Sequence, residues 1–414
     1  MKDGGTTMEE AQLRARVRSL LREAHPDDPQ VDRERFRGAQ FDLGLAFVHF
    51  PEGAGGLDLP MAQQAIVNDE LQRGARTHYR DGDVNLIGIG MAAPALLAHG
   101  TPALAARLLR PLFTGAELWC QLFSEPGAGS DVAALATRAR RRPEGWRVDG
   151  QKVWTSLAHR ARWGLLLART DPEQPKHKGI TAFVLDMRAP GVEVRPLYQL
   201  TGEAEFNEVF LSDVPIPDEH RLGAPGDGWR VAMSILSNER TAIGGTRSQG
   251  RRQPIDGLIQ QWRARAGDRN GDPGARAIEA DRLCRLVIEA RLLQITARRA
   301  SLARRRGQAG AEAAVGKLMT AELTQRIYET GFDLLGEAAL AYPTGYALRR
   351  ETEHFADADD RTIHRFLRSR ASTIEGGTSE VMRNILGERI LGLPESPRAD
   401  KDRNWSELRH GGGA

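Results

Sequence analysis

Gln121-Leu122-Phe123-Ser124-Glu125-Pro126-Gly127-Ala128-Gly129-Ser130-Asp131 is the stretch from which the rest of the chain can be read. Two glycines within three residues let the backbone approach a ligand closely. Ser124 and Ser130 add hydroxyl donors and acceptors, and Pro126 stiffens the turn. The stretch is neither a Gly-x-Gly-x-x-Gly loop after a strand nor a Walker loop with its lysine, which excludes a standard dinucleotide or phosphate cradle. Its residues alone leave two readings open, a ligand-binding loop and a plain surface turn between two domains.

The stretch lies where the pattern of the chain changes. From residue 8 to 118 the spacing is helical, with Ala11, Leu13, Val17, Leu20 and Leu21 close to a 3.6-residue period. Pro60 to Gln72 and Ala92 to Leu112 repeat it, separated by turn clusters at Pro51-Glu52-Gly53 and Gly55-Gly56. From 119 to 230 short apolar runs predict strands at Gly164–Arg169, Ile180–Leu185, Val192–Leu197 and Phe206–Leu211. Asp149-Gly150, between Trp146-Arg147-Val148 and Lys152-Val153-Trp154, reads as a hairpin turn. From 231 to 394 the period is helical again. Leu283, Leu286, Val287, Ala290, Leu293 and Ala297 share one face, and Gln308–Arg326, Ile363–Ser372 and Glu380–Leu391 are further helices. The polar tail, 395–414, is expected to be disordered. Strands segregated from helices predict an α+β multidomain chain rather than a doubly wound sheet.

Three more segments carry chemical potential. Lys152-Val153-Trp154-Thr155-Ser156 sets a large aromatic beside hydroxyls, either to stack on a flat ring or to fill a core. In Ile374-Glu375-Gly376-Gly377-Thr378-Ser379-Glu380, Thr378 or Ser379 predicts a helix N-cap and Glu380 an acid in its first turn. Capping leaves the two glycines unexplained. Asn238-Glu239-Arg240 has apolar flanks, so a partly buried Glu239 is a candidate general base. Asp357, Asp359, Asp360, His354 and His364 match no metal-ligand spacing and read as a solvated acidic turn. The basic runs at Arg138–Arg142 and Arg304–Arg306 read as solvated loop charge.

Composition narrows the class. In 414 residues, 58 basic and 55 acidic side chains give a net charge of +3, too balanced to argue for nucleic-acid binding. Two cysteines, Cys120 and Cys284, exclude a disulfide scaffold and a cysteine-rich zinc module. No apolar run is long enough to span a membrane, and no signal peptide is visible. The expectation is a cytoplasmic enzyme.

In their order and separation, these segments resemble the acyl-CoA dehydrogenase family over about residues 10–394. The resemblance implies an N-terminal helical domain, a middle β-barrel and a C-terminal four-helix bundle. It also implies FAD, an acyl-CoA substrate, electron-transferring flavoprotein as the oxidant, and assembly as a homo-oligomer or a hetero-oligomer with a related subunit. The implied reaction is α,β-desaturation, in which a carboxylate removes the α-proton and the β-hydrogen passes to the flavin as hydride. Carried over by position, Gln121, Phe123, Ser124, Gly129, Ser130, Trp154, Ser156, Thr378 and Glu380 would line the flavin. Ser130 would also reach the pantetheine, and Arg240 would support the acid cluster. Many members carry the catalytic Glu directly before Gly-Thr-Ser, where this chain has Gly376. The backbone N–H of Gly376 could polarise the thioester, but Gly376 cannot be the base. Glu239 matches the position used by the isovaleryl-CoA and long-chain enzymes and is the first choice, with Glu375 the second. No Arg-x-x-Phe-Gly segment is present; Arg251-Arg252-Gln253-Pro254 stands there, and Asp333 stands where Gln is common. These departures resemble the divergent bacterial members with bulky substrates, some of them two-gene heterotetramers. An oxidase or monooxygenase on the same fold, or a partner subunit completing another chain's site, are the alternatives.

Overall fold

The computed structural model describes residues 8–75, 85–236, 253–265, 273–305, 310–341, 362–395, 397, 400 and 402–410. The N-terminal region is helical. Helices α1 (Glu10–Glu23), α2 (Arg33–Asp42) and α3 (Gln64–Gly74) enclose a core of Leu13, Val17, Leu20, Phe36 and Val67. The predicted helix over 92–112 is divided into α4 (Ala93–His99) and α5 (Pro102–Thr114), because Thr101 caps a new helix with Pro102 in its first turn. Arg37 is 1% exposed; its guanidinium lies over the Phe113 ring at 4.0 Å and donates to the Phe113 carbonyl at 2.7 Å.

Eight strands follow: β1 (Trp119–Leu122), β2 (Arg138–Arg142), β3 (Gly145–Ser156), β4 (Trp163–Arg169), β5 (Ile180–Asp186), β6 (Val192–Leu197), β7 (Phe206–Ile216) and β8 (Arg221–Leu222). Their order is β6-β7-β3-β2-β4-β5-β8, with β1 parallel to β4. Residues of β1, β2, β3, β4, β5 and β7 converge on one core containing Leu122, Val148, Leu166, Phe183 and Leu211. The opposite face of β4 and β5, with Leu165, Leu167, Ala182 and Val184, packs on α4 and α5. Burial on both faces explains the unbroken apolar run in β4.

Two readings of this region are corrected. Asp149-Gly150 is no hairpin turn: β3 runs through it with a bulge, and the hairpin is β2–β3, closed at Pro143-Glu144. Asp149 is held in the strand by Arg140 at 2.6 Å and by the Asp213 N–H at 2.9 Å. Arg138–Arg142 is a strand rather than a solvated loop; Ala139 is inside, alternation turns Arg138, Arg140 and Arg142 outward, and Arg141, on the Ala139 face, stays exposed with its guanidinium over the Trp146 ring.

Helix resumes as α6 (228–236). The bundle contains α7 (Pro254–Arg265), α8 (Pro273–Arg305), α9 (Glu312–Leu335), α10 (Thr362–Ser369) and α11 (Ser379–Asn384), the last continuing as a π-turn, Ile385–Ile390. On α8 only part of the expected face is inside: Leu283 and Leu286 are buried, Ala290 and Leu293 half-buried, while Val287 and Ala297 are exposed. Ile278, Ile288, Leu292 and Ile295 are also exposed, so α8 shows more apolar surface than the bundle covers. Where it is described, the tail departs from the expected disorder. Helix α12 (Trp405–His410) docks on the middle domain, with Trp405 6% exposed. No described helix is long and apolar enough to cross a membrane.

Gly191, at φ +89°, closes the turn into β6, and an added Cβ would lie 2.1 Å from the Ser212 carbonyl oxygen. Gly191→Ala is expected to cost about 3 kcal/mol through backbone strain and overlap, read as a lower midpoint in urea unfolding.

Candidate functional site

The stretch 121–131 leaves the sheet at Leu122 and makes a tight turn. The Glu125 N–H donates to the Ala128 carbonyl and the Ala128 N–H to the Glu125 carbonyl, both at 3.0 Å. The Glu125 side chain folds inward. Its carboxylate accepts from the Ala136 N–H at 2.6 Å, the Thr137 N–H at 2.9 Å and Lys152 Nζ at 2.8 Å. Lys152, fully buried, also donates to the Phe123 carbonyl at 3.1 Å. Burial alone would raise the Glu125 carboxyl; the Lys152 charge and the hydrogen bonds outweigh it and hold the carboxyl below its ordinary value. Arg169, also fully buried, donates to the carbonyls of Ala133 at 2.6 Å, Leu135 at 3.3 Å and Lys176 at 2.6 Å. Burial pushes its guanidinium down to about 10, so it stays charged at neutral pH. The sequence reading gave Glu125, Lys152 and Arg169 no role. The available signal was three charges within or beside apolar strand segments.

With Glu125 pulled in, the outer face of the loop is presented to solvent. Pro126, Gly127, Gly129 and Ser130 are exposed, and an added Cβ at Gly127 or Gly129 would meet nothing within 4 Å. Ser124 contributes its carbonyl to the Val153 N–H at 3.0 Å, which ties the loop to β3. Gln121 is half-buried on β1, and Phe123 is 4% exposed.

Trp154 is not a core residue. The β3–β7 register shifts between Lys152 and Thr155, and Trp154 sits at φ +59° with 57% of its surface exposed. A left-handed aromatic residue in a strand costs roughly 1–3 kcal/mol and persists only where neighbours impose it. Buried Lys152 on one side and buried Thr155 on the other do so. The Trp154 ring meets Phe206 edge to face at 5.8 Å.

The C-terminal segment explains its two glycines. Gly376 and Gly377 have φ +64° and +97°, a conformation other residues adopt at a cost. Thr378 is the N-cap of α11 and accepts from the Val381 N–H at 3.1 Å. Glu380 is exposed in the first turn, its carboxyl lowered by its own backbone N–H and by Thr378. Lys317 on α9 donates to the carbonyls of Ser372 at 3.2 Å and of Gly377. The Glu375 carboxylate is bound by Arg368 at 2.9 Å, and Arg368 also lies over the Phe206 ring at 5.7 Å. A contact chain therefore joins Trp154 to Glu375 through Phe206 and Arg368. Beside it, His364 Nε2 and Glu203 meet at 2.8 Å, both buried, which pins α10 to the middle domain. Glu239, Arg240, Arg251 and Arg252, like His354, Asp357, Asp359 and Asp360, lie outside the described residues. Among the described residues no group of three or more His, Cys, Asp or Glu could hold a metal ion.

These parts fit a flat group with a hydroxylated tail. They provide an exposed indole on a rigid bulge and an open glycine loop beside Ser130. Two buried hydroxyls, Thr155 Oγ1 and Ser379 Oγ, have no hydrogen-bond partner among the described residues. Ser156, half-buried at the end of β3, adds a third hydroxyl.

Comparison with known proteins agrees with this layout. The chain matches the acyl-CoA dehydrogenase N-terminal, middle and C-terminal domain families over residues 7–116, 120–214 and 226–391. It is 40% identical over 365 residues to acyl-CoA dehydrogenase FadE34 of Mycobacterium tuberculosis, covering 88% of this chain and 47% of that protein, so it spans about half of that relative's length. Acyl-CoA dehydrogenase IpdE1 of the same organism is 36% identical over 362 residues, 86% of each chain. Among solved structures, the ChsE4–ChsE5 complex from M. tuberculosis superimposes with a TM-score of 0.67 at 26% identity, covering 96% of this chain and 100% of that one. The Tcur3481–Tcur3483 steroid ACAD shares the fold, with a TM-score of 0.67 at 24% identity over 94% and 97% of the two chains.

Removing Lys152 strands a buried carboxylate. Lys152→Met is expected to cost about 3–5 kcal/mol, and Lys152→Met with Glu125→Gln is expected to recover part of it. Because the folded carboxyl lies below its unfolded value, its contribution is complete above the ordinary carboxylate range and is lost as pH falls through the folded pKa. Urea midpoints across the acid range should therefore fall less steeply in the double variant than in the unmodified protein.

Proposed function

The chain belongs to the acyl-CoA dehydrogenase family, and from that membership we propose that it oxidises the Cα–Cβ bond of a bulky acyl-CoA thioester with FAD. Its curated relatives are named acyl-CoA dehydrogenases, oxidoreductases acting on CH–CH donors. The observation that carries the proposal is Trp154, thrust out of β3 beside the glycine loop and linked through Phe206 and Arg368 to the Gly376 turn. FAD, when bound, supplies the two-electron acceptor.

The chain's own residues do the rest. Trp154 and Ser156 face the flavin ring. Gln121, Phe123, Ser124, Gly129 and Ser130 would hold it from the loop, and Thr378 and Glu380 would serve its ribityl or adenosine part. The Gly376 N–H would donate to the thioester oxygen and stabilise the enolate as it forms. Glu239 takes the α-proton, with Arg240 supporting the acid cluster and Ser130 reaching the pantetheine. Glu375 is the weaker candidate for the base because its carboxylate is engaged by Arg368.

The proposal extends to a bulky, steroid-like acyl group and a heteromeric assembly, since the structural neighbours include a steroid ACAD and the ChsE4–ChsE5 complex. Exposed Leu340, Ile374, Leu391 and Leu393 of the C-terminal domain are what a second subunit would cover. Electron-transferring flavoprotein is the proposed oxidant, and slow reaction of the reduced protein with O₂ separates this reading from an oxidase or monooxygenase.

The test is the visible spectrum of the chain purified alone, followed by anaerobic titration with acyl-CoA thioesters. One flavin per chain, bleached by a steroid-type thioester, supports the proposal. A colourless chain that takes up no FAD points to a partner subunit instead. Glu239→Gln should keep the flavin spectrum and slow bleaching by roughly 10²–10⁴-fold; unchanged bleaching would move the base elsewhere.

A further inference from the structure

The segment after residue 394 lies beyond the stretch matched to the family, which ends at residue 391. It nonetheless reaches the back of the glycine loop. The Trp405 N–H donates to the Gln174 carbonyl at 3.0 Å and the Ser406 N–H to the Pro172 carbonyl at 2.9 Å, and Asn404 bridges to Pro175. These bonds seat the Trp405 ring, 6% exposed, over the Arg169 guanidinium at 4.8 Å. The indole N–H reaches the Ala134 carbonyl at 3.4 Å. Lys176 joins the same contact, held by Asp131 of the loop at 2.6 Å and by Asp400 of the tail.

Arg169 is what makes this contact consequential. It holds the carbonyls of Ala133 and Leu135, in the turn that follows the loop. That turn runs directly into Ala136 and Thr137, whose N–H groups hold Glu125. A cation stacked under an aromatic face and shielded from water is held more firmly than one facing solvent. Trp405 therefore closes the Arg169 side of the buried charge cluster. Trp405 and Asp400 also line a groove of about 790 Å³ together with Gly127, Asp131 and Gln151.

We propose that Trp405 is a positioning residue for the cofactor loop: the C-terminal tail braces residues 123–136 through Arg169. The effect on FAD rests on the function proposed above, whereas the bracing of the loop does not.

Both are measured on the full chain in Trp405→Ala, Trp405→Leu and Trp405→Phe. The readouts are amide hydrogen exchange over residues 123–136 and the apparent Kd for added FAD, followed by flavin fluorescence. Trp405→Ala should speed exchange in that segment, leave α1–α3 unchanged, and weaken FAD binding about tenfold. Trp405→Phe keeps a ring over Arg169 and should restore most of both. If Trp405→Ala does not fold, Trp405→Leu, which keeps apolar cover without the π-face, carries the same comparison. Unaltered exchange over 123–136 in the alanine or leucine variant overturns the inference. If the unmodified chain alone binds no FAD, the single-chain flavin site proposed above fails and exchange alone decides the bracing.

Discussion

The Glu125 carboxylate is buried behind a turn whose outer face is open to solvent, and most of the site follows from how that charge is held. A buried carboxylate needs a countercharge and hydrogen bonds on its remaining lone pairs. Lys152 supplies the first, and the N–H groups of Ala136 and Thr137 supply the second. Three separate segments, the glycine loop, the approach to β2 and the middle of β3, are thereby fixed to one another. With Lys152 directed inward and the Val153 N–H bonded to Ser124, β3 loses its regular register with β7. Trp154 is then rotated out of the sheet. Its exposure is a consequence of the ion pair, and the loop and the indole are two outputs of one constraint.

The other half of the site belongs to the bundle, so its geometry depends on what joins the two domains. Two contacts do so with charge rather than apolar area alone. His364 meets Glu203 inside the protein, and Arg368 spans Glu375, Glu205 and the face of Phe206. Arg368 is the more informative, because a single guanidinium touches the residue preceding Gly376 and the ring that buttresses Trp154. Lys317 then fixes the carbonyls on both sides of the turn. The Gly376 N–H and the indole are therefore set relative to each other by side chains that hold the domains together.

The fold order was legible because it depends on local periodicity: helical spacing to 118, short apolar runs within 119–230, helical spacing again. The misread places are those where a long-range contact overrides a local signal. Asp149-Gly150 has the composition of a turn, but Arg140 and the backbone of Asp213 keep it inside a strand. Arg138–Arg142 looks like a charged loop, yet one buried Ala139 and pairing with β3 suffice to make it a strand. The paired glycines at 376 and 377 were conspicuous in sequence, and only the backbone shows why both are needed. Trp405 lay in a tail too polar to suggest a docked element. Its partner Arg169 is 236 residues away, a separation no local pattern carries.

The departures from the common family pattern can be weighed on the same physical grounds. With Gly376 at the usual position of the base, the nearest carboxylate along the chain is Glu375, and the structure commits it to Arg368. A carboxylate that anchors a domain contact would have to break that contact to accept a proton from substrate, and the Gly376 turn would shift with it. The proposed division of labour avoids the conflict: Glu375 holds the turn, while the roles proposed for the Gly376 N–H and for Glu239 leave the Arg368 contact intact. Asp333 fits the same logic. Where the family commonly has an uncharged amide, the acid is paired with Arg282 at 2.7 Å, between α9 and α8. That pair is largely exposed and contributes little to stability. What it does is neutralise the Asp333 charge at that position. In both places an unusual acid is accompanied by an arginine, so the departures read as rewired contacts of a working site.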